Sequence, residues 1–230
     1  MALMTDSDLV AMTNSLLQQI YGDTSNIAID ISDYVQREYK RICVTLGITR
    51  KMKLVIIANP PATSYALAAI TPTGLTASDL SFIASVKYYD LHQSFPLEHR
   101  DYRDVRQSIA VGAALNTGTC ECWGFDDAIT GKEFCVGPLG SGTDKDQLEI
   151  NWVYIPADMP NTGTPDPLYP QHLSDAIAIQ AAVEALRTLE EYEKADNLSA
   201  NMLAPKLKMI AQWITDRYYV RSFQREGHSQ

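Results

Sequence analysis

The stretch Leu148-Glu149-Ile150-Asn151-Trp152-Val153-Tyr154 has the alternating character of a strand, and Ile155-Pro156-Ala157-Asp158 follows it as a Pro/Asp loop. Downstream, Tyr169-Pro170 opens a long helical stretch that is full of small residues and carboxylates. That stretch ends in the basic, aromatic segment Arg217-Tyr218-Tyr219-Val220-Arg221-Ser222-Phe223-Gln224-Arg225. A strand that leads into a helical hairpin with such an end is typical of an assembly component rather than of a catalytic domain.

The composition is that of an ordinary folded protein. The chain has 230 residues, of which 46% are hydrophobic, so it can form one large domain or two small ones. No apolar run reaches 18 residues, and we therefore predict no transmembrane helix. The N-terminus lacks a basic region before an apolar stretch, so no secretory signal is expected. Four cysteines in this length do not indicate a disulfide scaffold, and reduced thiols are expected.

The net charge of −9 is concentrated in one part of the chain. Residues 144–196 contain eleven acidic and three basic residues, a net −8, whereas residues 217–230 contain three arginines and one glutamate, a net +2. An acidic chain argues against sequence-specific DNA binding, which needs a basic surface. The same distribution suits a surface along which nucleic acid slides without binding. Solubility alone is the simpler explanation of the charge.

The first fifty residues predict two amphipathic helices. Residues 5–7 offer N-cap side chains before a stripe at Leu9, Met12, Leu16, Leu17 and Ile20. Asp30 and Ser32 offer a second cap, and a second stripe follows at Ile31, Val35, Tyr39, Ile42 and Leu46. Gly47 is placed to end the second helix as its C′ residue.

The middle of the chain predicts a small antiparallel sheet with irregular loops. Strand patterns occur at residues 54–57, 82–89 and 148–154, and a weaker one at 108–111. Residues 120–125 and 133–136 flank a polar turn at 126–132 and predict a hairpin. Four prolines in residues 160–170 indicate a rigid, irregular linker.

The last third predicts two closely packed helices. Pro170 suits the first turn of the earlier helix, whose stripe of Ala178, Ala182, Ala185, Leu189 and Tyr192 is small enough for close approach. Leu203, Leu207, Ile210 and Ile214 form the stripe of the last helix. Pro205 fits its first turn, with residues 197–201 as the connection. A continuous kinked helix is the alternative.

These patterns predict an α+β fold in which N-terminal and C-terminal helices form a helical bundle around a central antiparallel β insertion. We predict a helical core from residues 1–52 and 168–222, a β-rich insertion at 53–160, a Pro-rich linker at 161–167 and a C-terminal tail at 223–230.

Each pattern of reactive residues in the sequence is explained better by a structural role than by a chemical one. Cys120 and Cys122 are expected on one side of a strand with Cys135 across the hairpin, but the paired CxxC motifs of a zinc site are missing. The four histidines form no metal-binding motif, and His172 is expected to be a surface or cap residue. Asp126-Asp127 lies in a turn, where Asp is favoured for backbone reasons. The glycine-rich residues 137–142 lack the lysine and helix of a phosphate loop. We therefore predict no catalytic residue, metal or cofactor.

Two surfaces are candidates for interactions. The C-terminal segment interleaves arginines with aromatic residues, a composition typical of interface anchors, and its candidates are Arg217, Tyr218, Tyr219, Arg221, Phe223 and Arg225. A helix end that packs on its own sheet is the alternative. Glu190, Glu191 and Glu193 would ordinarily form a solvated helix face, but many copies of them could line a channel.

The order of these segments resembles the head-to-tail connector, or adaptor, proteins of tailed bacteriophages. The resemblance covers most of the chain and rests on an ordered set of stretches: the N-terminal helix pair ending in Tyr39-Lys40-Arg41-Ile42-Cys43; Ile83-Ala84-Ser85-Val86-Lys87-Tyr88-Tyr89 and Asp101-Tyr102-Arg103; Phe134-Cys135-Val136-Gly137-Pro138-Leu139 before the strand at 148–154 and the Ile155-Pro156-Ala157-Asp158-Met159 turn; and Leu168-Tyr169-Pro170-Gln171-His172-Leu173 before the Ala-rich helix.

The resemblance implies a virion structural protein of the neck, present in the host cytoplasm during assembly. Such proteins form a homo-oligomeric ring, commonly of twelve copies, beneath the portal protein. The ring extends the channel for double-stranded DNA without binding it specifically, contacts no membrane and provides a platform for tail or nozzle proteins. The helical C-terminal ends typically reach the portal. The β insertion at residues 53–160 is longer than in the short helical members and would form the tail-facing part.

A second interpretation is a monomeric carbohydrate- or peptide-binding module that uses exposed aromatic residues of the β insertion. Its candidates are Tyr88, Tyr89, Trp123 and Trp152. An enzyme is the third interpretation.

Overall fold

The structure is a computed structural model that describes residues 4–22, 29–56, 64–89, 94–115, 120–126, 133–137, 147–159, 170 and 172–226. The side chains of residues 111–115 and 217–226 are outside this description, as is the predicted linker at 161–167. The chain forms two compact units, one of Met1–Ile48 with Pro156–Gln230 and one of Thr49–Ile155. Helices dominate the first and strands the second, which confirms the predicted mixed fold class.

The described helices are α1 (Asp6–Tyr21), α2 (Ile31–Thr45), α3 (Leu67–Ile70), α4 (Tyr102–Leu115), α5 (Leu173–Thr188), α6 (Tyr192–Leu198) and α7 (Ala204–Glu226). The described strands are β1 (Arg50–Ile56), β2 (Ser64–Ala66), β3 (Leu80–Tyr89), β4 (Ser94–Pro96), β5 (Glu98–His99), β6 (Cys122–Asp126), β7 (Glu133–Gly137) and β8 (Gln147–Tyr154).

The first two helices begin and end where the sequence predicts. Thr5 caps α1 in a capping box with Asp8, and the Asp30 carboxylate accepts a hydrogen bond from the Ser32 backbone N–H. At the end of α2, Gly47 adopts a left-handed φ of 60°. The Ile48 N–H donates to the Cys43 carbonyl at 2.8 Å, which closes a Schellman motif.

Helix α5 is the centre of the helical unit. It contacts α1, α2, α6 and α7, and most of its residues are buried. Ala178, Ala182 and Ala185 of the predicted stripe are buried as expected. The prediction is wrong at the end of the stripe, because α5 stops at Thr188 and Tyr192 is exposed at the start of α6.

The start of α5 also differs from the prediction. Pro170 precedes the helix rather than lying in its first turn, and its carbonyl accepts a hydrogen bond from the Leu173 N–H. His172 lies between them at the N-cap position with a left-handed φ of 74°. The chain therefore turns sharply at His172 before the helix begins.

Helix α7 follows α6 without a loop, so the continuous alternative is the observed one. A π-helical turn, Ser199–Leu203, joins the two helices, and Pro205 lies in the first turn of α7. Proline cannot donate a hydrogen bond to the carbonyl four residues earlier, and its ring crowds that carbonyl. A π turn is one way for a helix to accommodate such an interruption. Leu203 at the end of this turn and Ile210 and Ile214 beyond it are buried as predicted.

The β unit contains two four-stranded sheets. The first sheet has the order β1-β8-β3-β4 and is antiparallel throughout, and the second has the order β2-β7-β6-β5 with a parallel β5–β6 pair. Strands β6 and β7 form the predicted hairpin. Residues from the two sheets share one buried cluster: Val86, Leu148, Ile150, Trp152, Trp123, Phe134 and Val136. The Trp152 indole N–H donates to the Ile70 carbonyl at 2.9 Å.

The chain enters and leaves the β unit on adjacent strands. Arg50 of β1 faces Val153 of β8 in the antiparallel register. Just outside this pair, the Tyr154 N–H donates to the Thr49 carbonyl at 3.1 Å, and the Thr49 hydroxyl donates to the Tyr154 carbonyl. The two ends of the β unit are therefore held side by side.

Helix α4 packs on β6 and β7 and corrects the weak strand predicted at 108–111. Val105 and Ile109 of α4 are buried against Cys122 and Cys135, the four-residue spacing of one helix face. The β-branched residues within 108–111 favour a strand when the sequence is considered alone. The segment is a helix because the packing of the Val105–Ile109 face on β6 and β7 outweighs that local preference.

Gly124 of β6 lies directly under α4. A Cβ atom there would be 2.9 Å from the Tyr102 Cα and 3.1 Å from the Arg100 carbonyl oxygen. Both are backbone atoms, which cannot rotate away. We expect Gly124→Ala to lower the free energy of unfolding by about 1–3 kcal/mol, the usual cost of overpacking, in urea denaturation. The exposed Ser81→Ala should change it by less than about 0.5 kcal/mol. Equal stability of the two variants would contradict the close packing of α4 on β6.

Candidate functional site

The three predicted channel-lining carboxylates lie together at the turn between α5 and α6. Glu190 and Glu193 are exposed, and Glu191 is half-buried with its Oε2 3.2 Å from Lys194 Nζ. Tyr192, between them, is 61% exposed. We call residues 190–193 the acidic turn.

The backbone of the acidic turn is tightly specified. The Glu190 N–H donates to the Arg187 carbonyl at 3.1 Å, and the Glu191 N–H donates to the Leu186 carbonyl at 2.9 Å. This is a Schellman motif in which Glu190, with φ of 62°, occupies the left-handed position that glycine usually fills. A side chain in this conformation costs on the order of 1 kcal/mol. The geometry thus fixes a carboxylate at a position where backbone preference alone would favour glycine.

The C-terminal candidates lie on α7, whose backbone is helical as far as Glu226. The side chains of Arg217, Tyr218, Tyr219, Arg221, Phe223 and Arg225 are outside the described residues. Helical geometry nevertheless relates their positions, since residues three and four apart share a face. Positions 217, 221 and 225 continue the line of Ile210 and Ile214, which are buried. The same line of α7 therefore changes from apolar to basic after Ile214.

A buried carboxylate that the sequence analysis missed lies on α2. Glu38 is 1% exposed, and its two oxygens face two arginines. Its Oε1 accepts a hydrogen bond from Arg37 Nε at 3.2 Å. Its Oε2 lies 2.6 Å from Arg41 Nε, a contact that lacks hydrogen-bond geometry and is therefore an ion pair alone. The available signal was its position within the Val35–Ile42 apolar stripe, where an acidic residue is unusual.

The charges around Glu38 continue to α5 and α6. Arg41 Nη2 lies 3.6 Å from Glu184 Oε1, which also accepts a hydrogen bond from Gln180 Nε2 at 2.9 Å. Arg187 bridges Glu184 and Asp196 at 3.3 and 3.4 Å. Opposite charges thus alternate from α2 across α5 to α6. Arg41 and Arg187 are both about half exposed, so water weakens their contributions.

Burial raises the pKa of Glu38 above its ordinary value, while Arg41 and Arg37 oppose the shift. The direction means that loss of hydration outweighs the attraction of the two arginines. The Glu38 carboxyl group therefore ionises less readily in the folded protein than it would in water.

A second polar contact joins the ends of α5 and α7. Lys206 Nζ donates to the Asp175 carboxylate at 2.6 Å and lies 3.2 Å from His172 Nδ1. His172 is half-buried in this contact. It occupies the N-cap position of α5, as the sequence suggested, but its side chain makes no capping hydrogen bond. The contact holds the first turn of α7 against the start of α5.

The cysteines are buried and do not form one cluster. Cys122 and Cys135 pack beneath α4, whereas Cys120 lies before β6 in the cluster of Trp123 and Phe134. The expectation that Cys120 and Cys122 share one side of a strand is therefore wrong, because β6 begins only at Cys122. Burial raises the pKa of Cys43 to about 12 and raises the pKa of Cys120 and Cys135. These thiols are protonated near neutral pH.

The structure describes only some of the other residues that the sequence analysis considered for metal binding or catalysis. Within the described part of the chain, no group of three or more His, Cys, Asp and Glu residues could hold a metal ion. Asp126 ends β6, whereas Asp127 and residues 138–142 lie outside the described residues.

Two of the four aromatic residues proposed for a ligand-binding surface are in the core. Trp123 is 6% and Trp152 is 2% exposed, so the expectation that they are exposed is wrong. Tyr88 and Tyr89 are half-buried, and the Tyr89 hydroxyl donates to the Glu149 carboxylate at 2.7 Å. The burial of Trp152 could have been predicted from the alternating pattern of β8. Trp152 lies on the same face of the strand as Leu148 and Ile150, and that face is buried.

No protein-family model matches the chain, and the comparison with curated proteins found no significant match. Among the described helices, none combines the length and the apolar character that crossing a bilayer requires.

The raised pKa of Glu38 gives a pH-dependent prediction. Its favourable contribution is full below the unfolded pKa, near 4.5, and is lost as pH rises through the higher folded value. Glu38→Gln cannot ionise, so its melting temperature relative to wild type should rise between about pH 4 and pH 7. Glu193→Gln, which removes an exposed carboxylate, is the control measured over the same pH range. A Glu38→Gln difference that stays constant, or falls with rising pH, would contradict the assignment.

Proposed function

We propose that this chain is a virion structural protein of tailed bacteriophages, an adaptor ring that docks under the portal and extends the DNA channel. It would also provide the attachment platform for tail or nozzle proteins, and it would act in the neck of the virion after assembly in the host cytoplasm. The observation that carries the proposal is α7, a 23-residue helix at the C-terminal end of a bundle that a β unit interrupts. The segment order that resembles the connector family supports it.

The end of α7 has the properties of a docking element. Ile214 is buried, Thr215 and Asp216 are exposed, and the backbone of α7 stays helical for twelve residues beyond Ile214. At 1.5 Å per residue this length is about 18 Å. Arginines occupy positions 217, 221 and 225, which continue along α7 the line formed by the apolar residues Ile210 and Ile214. Arginine can make paired contacts to carboxylates, and the interleaved aromatic residues add apolar area, which suits a groove on the portal protein.

The acidic turn suits a surface along which DNA passes. Residues 190–196 contain Glu190, Glu191, Glu193 and Asp196 against Lys194, a net −3. Phosphate binding needs lysine or arginine, so this turn repels DNA instead of holding it. In a ring of about twelve copies the repulsion would be repeated around the axis. The strained backbone at Glu190 is consistent with a carboxylate retained for such a role.

Deleting residues 217–230 tests the docking role of α7. The buried stripe from Leu203 to Ile214 remains, so the protein should fold, with a circular dichroism spectrum of a mixed α/β protein. It should fail to attach to DNA-filled capsids, because each lost anchor typically costs about 2 kcal/mol and a ring repeats the loss. Capsid attachment is measured by co-sedimentation. Deletion of residues 227–230 alone is the matched control and should attach normally. Attachment of the longer deletion at wild-type levels would place the portal contact elsewhere.

Reversing one charge of the acidic turn tests whether this turn lines the proposed DNA channel. Particles that carry Glu193→Lys should assemble but release DNA more slowly, because each of about twelve new lysines can bind phosphate, and the delay should lessen at higher salt. Glu121→Lys, the reversal of an exposed carboxylate in the β unit, is the control and should release DNA at the wild-type rate. Release is measured by dye binding after receptor triggering. An unchanged rate for Glu193→Lys would remove the acidic turn from the channel.

A further inference from the structure

Strand β1 forms one edge of the first sheet. Its seven residues pair with β8 in an unbroken register from Arg50–Val153 to Ile56–Gln147. In the described part of the chain, β8 is the only strand hydrogen-bonded to β1. The pairing of β3 with β8, by contrast, contains two register shifts. The edge at β1 is therefore regular and as long as an average strand.

The outer face of β1 is apolar and exposed. Met52, Leu54 and Ile56 are 49%, 48% and 67% exposed, and alternate residues of a strand share one face. Their partners on β8 are polar: Asn151 faces Met52, and Glu149 faces Leu54. The apolar row thus lies on the exposed face of an edge strand, whereas Val55, on the other face of β1, packs against the buried cluster of the β unit.

An exposed, regular and apolar edge strand is a surface for association. Its outward backbone groups can pair with another chain, and natural proteins usually prevent this with prolines, bulges or charges directed along the edge. β1 contains no proline and no register shift. Its lysines, Lys51 and Lys53, alternate with the apolar row and so lie on the opposite face of the sheet. They leave the row of Met52, Leu54 and Ile56 uninterrupted.

The charge of β1 indicates what associates with it. Arg50, Lys51 and Lys53 give the strand a charge of +3, whereas the whole chain carries −9, so the rest of the chain carries −12. We propose that the open edge of β1 is a subunit contact, and that its occupant is an acidic surface of a second copy of this chain. In an edge-on contact the neighbour would bury the row of Met52, Leu54 and Ile56 on one face of the strand and place carboxylates beside Lys51 and Lys53 on the other face.

A twofold contact between two β1 strands fits these residues less well. The antiparallel register that pairs all seven residues places Lys53 opposite Lys53, and like charges directly opposite are destabilising. A head-to-tail contact avoids this, because β1 of one copy meets a different surface of the next. Head-to-tail contacts generate closed rings or open filaments. The inference therefore deepens the proposed adaptor ring and rests on it for closure into a ring.

Sedimentation velocity of the purified full chain over a range of concentrations tests the contact. The wild type should self-associate as concentration rises, and the double variant Met52→Gln with Leu54→Gln should associate at least about tenfold more weakly, a loss of about 1.4 kcal/mol. The control is Met202→Gln with Met209→Gln, two methionines of the helical unit that are 44% and 51% exposed. It should associate like the wild type. Circular dichroism should show that all three proteins are folded.

A charge variant distinguishes the two geometries. In the head-to-tail contact, Lys53→Glu weakens association, and its equimolar mixture with wild type associates no more tightly than wild type alone. In a twofold contact the mixture associates more tightly than either protein, because glutamate then faces lysine. A wild type that stays monomeric, a double variant that associates normally or a mixture that associates more tightly would each overturn the proposal.

These outcomes are separate from the test of the proposed function. Association through β1 combined with normal capsid attachment by the 217–230 deletion would reject portal docking through α7 and leave the β1 contact intact. Loss of the β1 contact, combined with capsid attachment that depends on α7, would reject the β1 contact and leave portal docking through α7 intact.

Discussion

The burial of α5 on nearly every side is the constraint on which the helical unit depends. Eleven of its sixteen residues are buried, and they include consecutive positions from Ala176 to Val183 rather than a single stripe. A helix that is apolar all round must be enclosed by other elements. Two of its neighbours, α1 and α2, precede the β unit in the chain, and two, α6 and α7, follow it. The bundle therefore cannot form from either end of the chain alone.

The sequence predicted those features that local chemistry determines. Thr5, Asp30 and Gly47 marked helix boundaries because capping and left-handed backbone geometry depend on a few adjacent residues. Strands β1, β3 and β8 followed from short β-type runs and the β6–β7 hairpin from its polar turn, whereas the short strands β2, β4 and β5 were not predicted. The prediction was wrong where a distant contact decides the outcome, as at α4, whose face at Val105 and Ile109 is defined by cysteines on β6 and β7. Glu38 was missed for a similar reason, since its burial depends on α5.

The proposed interaction surfaces show the same limit. The acidic turn could be identified from its composition, but the left-handed Glu190 that fixes it could not. The apolar row of β1 could not be assigned to a surface from the sequence, because Leu54 and Ile56 have the composition of an ordinary core strand. The row is distinguished from a buried one by its exposure and by the place of β1 at the edge of the sheet, both of which depend on contacts with distant strands.

The adjacent ends of the β unit have an evolutionary consequence. Thr49 and Tyr154 are joined by one backbone hydrogen bond and by one from the Thr49 hydroxyl, at the point where the chain leaves the helices and returns to them. Neighbouring strands lie about 5 Å apart, so a short connection could replace everything between these residues. Replacing the intervening segment at this junction, as recombination would do with a cassette, would leave the distance between the two returning chain ends unchanged. Lineages that share the helical framework could thus acquire different appendages at this junction while the framework itself stays recognisable.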